Sequence, residues 1–129
     1  MIYVNALLDA IQLFMIQHMT LFVVVCLFIL IDIVSGLIVA LVDGNYNSTE
    51  FRKGLARKLG YVLVMCAVAV IQVAMFDSNF EVPFDFPFFA LVCSFIILLE
   101  FTSILENACK LNPKLDAFLG KYINGNDER

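Results

Sequence analysis

Three long apolar stretches, separated by two short polar loops, set the pattern of this chain. Leu21–Val42 is apolar except for Asp32, Ser35 and Gly36. Leu59–Phe76 carries Gln72 as its polar interruption, and Phe86–Leu99 is predominantly apolar up to Glu100. A helix needs about 20 such residues to cross a bilayer. The pattern predicts an all-α integral membrane protein with three transmembrane helices, at about residues 20–42, 59–76 and 86–106.

The flanking segments read differently. In residues 2–16, Asn5, Asp9 and Gln12 recur at helical spacing and form one narrow polar stripe among apolar positions. Fifteen helical residues reach about 22 Å, short of a hydrocarbon core of about 30 Å. Residues 1–19 are therefore expected to form an N-terminal amphipathic interfacial helix; the rival reading is a fourth, short span. Asp43-Gly44-Asn45 signals a turn. Ser48 is expected to cap a short amphipathic helix running into Arg52–Lys58. Asp77-Ser78-Asn79 ends the second span, and Pro87 suits the first turn of the third helix. That helix is expected to run past Glu100 to about Lys110, where Asn112-Pro113 breaks it. A short C-terminal amphipathic helix over 114–123 and a polar tail complete a cytoplasmic segment, 111–129.

Charge orients the spans. Arg52, Lys53, Arg57 and Lys58 sit between the first two, whereas Asp77, Glu81 and Asp85 lie between the second and third. Positive charge marks the cytoplasmic side. This predicts an N-terminus outside, and Lys110, Lys114, Lys121 and Arg129 predict a C-terminus inside. With the loop at 47 in the cytoplasm, the Asn47-Ser48-Thr49 glycosylation pattern is discounted.

Composition agrees with the membrane reading. Of 129 residues, 62% are hydrophobic, against about 45–50% in soluble domains. No strong basic patch suggests nucleic acid. Residues 1–19 contain no Lys or Arg, so the first apolar segment reads as an anchor rather than a cleaved signal. Cys26, Cys66, Cys93 and Cys109 form no CxxC pair and read as apolar filler. No metal or cofactor site and no catalytic motif is found, so an enzyme is not expected. His18, the single histidine, reads as a solvated residue near the outer interface.

The polar residues inside the spans carry the candidate chemistry. Asp32, Gly36, Ala40 and Gly44 follow at i+4 steps and share a face. Gly36-x-x-x-Ala40 is a small-xxx-small pair, which permits close helix approach. Two readings stay open for this face: packing within the chain, with Asp32 paired or protonated, or an oligomer seam or pore lining that also takes in Ser35. Lys58, Tyr61, Met65, Ala69 and Gln72 share one side of the second span. Lys58 either marks the membrane boundary or reaches an acid, and Gln72 needs a partner in hydrocarbon. Glu100, Ser103 and Asn107 share a face of the third span, with Glu106 about 120° away. A cluster of Asp32, Lys58 and Glu100 near the inner leaflet is sterically reasonable, with Glu100 the nearer acid to Lys58. At least one of Glu106 and Asn107 is expected to face the cytoplasm.

Asp32-Ile33-Val34-Ser35-Gly36, then Asn47-Ser48 through Gly54-Leu55-Ala56-Arg57-Lys58, then Glu100-Phe101-Thr102-Ser103-Ile104-Leu105-Glu106-Asn107 resembles, in order, the motifs of the phage-lysis and toxin-secretion holin family. The resemblance covers about residues 30–123 and leaves the segment before residue 20 outside. It implies a protein that forms a homo-oligomer in the bacterial host's inner membrane and permeabilises it. A lytic enzyme, the endolysin, then reaches the cell wall, or a toxin is released. It also implies importance for Asp32, Gly36, Lys58, Glu100, Ser103, Glu106 and Asn107. Two further classes are kept: a small selective channel or transporter, and a non-conducting antiholin or accessory subunit.

Overall fold

The computed structural model describes residues 2–75 and 87–123, and it is all helical there. The order is α1 (Ile2–Val42), α2 (Ser48–Met75), α3 (Phe88–Leu111) and α4 (Pro113–Ile123). Helices α1, α2 and α3 are each long and apolar enough to cross a membrane. The acidic loop at 77–85 and the tail at 124–129 lie outside the described residues.

The first helix departs from the expected division at residue 19. Ile2–Val42 is one unbroken helix of 41 residues. No glycine or proline occurs in it before Gly36, and the Asn5–Asp9–Gln12 stripe leaves every backbone hydrogen bond of the helix available. A change of side-chain polarity does not end a helix; a change of backbone chemistry does. The same holds for α2, which joins the expected short basic helix to the second span without a break.

Helix ends follow local chemistry. Asp43 and Asn45 N–H groups bond back to the Val39 and Ala40 carbonyls, and Gly44 turns the chain at φ 66°, where an L side chain is strained. The cap of α2 is Asn47 rather than Ser48. Its Oδ1 accepts from the Thr49 N–H at 2.9 Å and the Glu50 N–H at 3.4 Å. An amide oxygen one residue earlier serves the first-turn donors directly. Pro87 stands just before α3 instead of within its first turn. Asn112 ends α3, and its Oδ1 accepts from the Lys114 N–H to start α4.

The three long helices pack as a bundle, with α1 most extensively against α3. The core is Phe14, Val25, Ile29, Met65, Phe89, Cys93 and Ile96. The outward surface is apolar too: Leu27, Leu30, Val34, Leu63, Val70, Phe95 and Leu98 are all exposed. In water such a surface would aggregate; in lipid it is solvated. His18 is half-buried in this bundle, not free at its edge. Its ring lies 4.8 Å from Phe14 and 5.3 Å from Phe89, which itself meets Phe14 edge-on at 5.0 Å. Two aromatic faces at that level give an imidazole more contact than open interface does. The four cysteines are free thiols, from buried Cys93 to exposed Cys66.

Candidate functional site: a charged cluster at one level of three helices

Helix geometry alone brings three charges to one level. Asp32 lies ten residues before the end of α1, Lys58 ten after the start of α2, and Glu100 eleven before the end of α3. At 1.5 Å per residue each sits about 15 Å from the helix end nearest the α1–α2 loop. The side chains meet there. Lys58 Nζ is 2.6 Å from Asp32 Oδ2 and also pairs with Glu100 Oε2. One ammonium serves both acids. Asp32 and Glu100 are buried, at 6% and 2% exposure.

Asn107 completes the cluster. Its Nδ2 donates to Asp32 Oδ1 at 3.2 Å and to Ser35 Oγ at 2.9 Å. The Ser35 hydroxyl donates in turn to the Asp32 carbonyl at 3.0 Å. Every carboxylate thus has a donor, and among the described residues no buried side-chain N or O lacks a partner. That matters in hydrocarbon, where an unpaired polar group costs several kcal/mol on the order of its full desolvation.

Most of the residues singled out in the sequence converge here: Asp32, Ser35, Lys58, Glu100 and Asn107 are in direct contact. Ser103 joins Asp32, Lys58 and Asn107 in lining an adjoining cavity. Glu106 does not join; it is exposed, and it borders a groove between α3 and α4 with Lys110 and Asp116. The turn of about 100° per residue carries it off the face that Asn107 occupies. Gly36 faces Asn107: a Cβ there would stand 3.6 Å from Asn107 Nδ2. The Asp32–Gly36–Ala40 face is thus turned toward α3 and the cavity within one chain, and an oligomer seam on it would compete with those contacts.

Gln72 finds its partner in a backbone group. Its Oε1 accepts from the Phe89 N–H at 3.3 Å. Pro87 offers no side-chain cap to α3, so α2 supplies one across the bundle. The stripe Lys58, Tyr61, Met65, Ala69 and Gln72 is the inward face of α2: Met65 and Gln72 are buried and the others half-buried. What sequence reasoning missed is the identity of the neighbours, since a lone Gln in an apolar run signals a need without naming what fills it.

Among the described residues no three or more His, Cys, Asp or Glu side chains are placed to hold a metal ion. The arrangement is an ion-pair network in which two carboxylates share one ammonium and tie α1, α2 and α3 together.

A family model described as the bacteriophage holin family matches residues 9–126. The match begins well before residue 20, so most of the N-terminal half of α1 is within it. No curated protein and no solved structure matches the chain. The cluster, most of α1 and all of α2 and α3 fall inside the matched stretch: this chain belongs to the bacteriophage holin family.

Proposed function

We propose that this protein is a holin that oligomerises in the bacterial cytoplasmic membrane and permeabilises it, so that an endolysin reaches the cell wall and the host lyses. Family membership over residues 9–126 is the observation that carries the reading. The geometry supports it. A bundle with an apolar exterior and its charges paired inside accumulates in lipid without leaking. The same charges line a polar surface once helices part.

Expression in bacteria, with and without a cell-wall hydrolase lacking its own export signal, tests the function. With the hydrolase, culture density is expected to fall abruptly after a delay, together with membrane potential. Without it, the potential collapses while density holds. A steady potential in both cultures would refute membrane permeabilisation. Flux restricted to small ions would instead favour a selective channel, and protection against a partner's lysis an antiholin.

The orientation we propose is N-terminus outside and C-terminus cytoplasmic, from the basic segment at 52–58 and the acidic segment at 77–85. With single cysteines introduced at 77 and 53, an impermeant thiol reagent applied to intact cells should label Asp77→Cys and spare Lys53→Cys. The reverse pattern would invert the topology.

A further inference from the structure

A cavity of about 500 Å³ opens beside the charged cluster, between α1, α2 and α3. Its lining runs from exposed Asn45 and Glu50, at the α1–α2 loop, to Asp32, Lys58, Ser103 and Asn107 at the level of the charged cluster. Liquid water takes about 30 Å³ per molecule, so the space admits about fifteen. A cavity holds water when it is roomy and each molecule finds polar partners. This one offers carboxylate, ammonium, amide and hydroxyl groups at its deep end, where lipid tails would leave them unsolvated. Beyond the cluster the bundle changes character. Val25, Ile29, Met65, Cys93 and Ile96 pack there with little or no exposure, and Gln72 beside them is bonded to the Phe89 N–H.

We propose that this cavity is a water-filled half-channel. It carries the aqueous phase from the α1–α2 loop about 15 Å along the bundle, ends on the Asp32–Lys58 pair, and is sealed beyond it by the apolar core. Each single chain then holds half of a polar path, and the core around Met65 and Cys93 is the barrier. The proposal goes beyond lysis: it rests on α1–α3 crossing a bilayer and concerns the resting chain.

Thiol accessibility tests it. Methanethiosulfonate reagents attack the thiolate, which forms in water and not in hydrocarbon. Full-length protein in proteoliposomes receives a cysteine at Ser103 or Gly54 in the cavity, or at Val34 or Phe101 on the exposed apolar surface, with Asn45→Cys marking the mouth. A Cβ at Gly54 meets nothing within 4 Å, and Ser103→Cys is nearly isosteric, so both variants keep the fold. A cationic, impermeant reagent is applied to one face at a time, and labelling is read site by site by peptide mass spectrometry, which separates the native cysteines. Ser103→Cys and Gly54→Cys are expected to react about tenfold faster than Val34→Cys and Phe101→Cys, from the face that labels Asn45→Cys. Equal slow rates at all four, with Asn45→Cys reactive, would show lipid or protein filling the cavity and overturn the half-channel. Labelling of Ser103→Cys from the opposite face would show no seal and overturn it equally. An Asn45→Cys that reacts from neither face would overturn the membrane placement itself. None of these outcomes depends on whether the protein lyses cells.

Discussion

Lys58→Met is expected to be the most damaging single change in this protein. It removes the one ammonium shared by Asp32 and Glu100 and leaves two buried carboxylates facing each other. Breaking a buried pair from one side costs about 3–5 kcal/mol, because the charge left behind has lost its counter-ion. The thermal midpoint in detergent and the amount of protein in the membrane should both drop sharply. Adding Glu100→Gln or Asp32→Asn to Lys58→Met should recover part of the loss, since fewer charges are then stranded. Each double change should depart from the sum of its single changes by about 0.5–3 kcal/mol. Additivity in both cycles would show that the three groups act independently and would dissolve the cluster as a functional unit. Lysis timing in the same variants tells whether the pairing restrains permeabilisation or only holds the fold. Early onset at normal protein levels means restraint; delayed onset at low levels means folding.

Gly36 gives the second large effect, and it depends on size. A methyl group at this position lands 3.6 Å from Asn107 Nδ2, an ordinary contact, so Gly36→Ala should be close to neutral. Gly36→Leu cannot share that space. It must push Asn107 away from Asp32 and Ser35, and overpacking of this kind costs about 1–3 kcal/mol. The expected result is a lowered thermal midpoint and altered lysis timing for Gly36→Leu alone. Asn107→Ala, which clears the space, should relieve the strain while losing the same hydrogen bonds, so the double variant should be little worse than Asn107→Ala. If Gly36→Leu instead keeps its midpoint and loses only cross-linked oligomer, this face meets other copies and not α3.

The spans, the bundle's inward faces and the charged cluster were legible because each rests on a signal that survives in one dimension. Long apolar runs give the spans. Steps of three and four place Asp32 with Gly36, and Glu100 with Ser103 and Asn107, on shared faces. Equal distance from the helix ends then brings Asp32, Lys58 and Glu100 to one level. Outside the α2 stripe the apolar core was not legible. Phe89 and Cys93 are buried while Phe95 and Leu98 are exposed, yet nothing in their chemistry separates them. In lipid both faces of a helix are apolar, so the polarity contrast that marks a core in soluble proteins is missing. Capping by Asn47 and the docking of Gln72 on Phe89 were hidden for a related reason. Both depend on where a backbone N–H stands in space. The division of α1 at residue 19 failed because three polar side chains were read as a structural boundary although nothing there interrupts the backbone.

The unbroken length of α1 has a consequence for the lipid around it. Its candidate span, Val4–Val42, has 39 residues and measures about 58 Å, nearly twice the hydrocarbon thickness. The bilayer meets such a mismatch by tilting the helix or by stretching its own tails, at fractions of a kcal/mol per Å. Where the tails stretch rather than the helix tilting, an annulus of distorted lipid surrounds the chain. When two chains touch, their annuli merge and some of that distortion is relieved. Copies would then be drawn together by the membrane itself, through an elastic attraction that needs no complementary surface on either one.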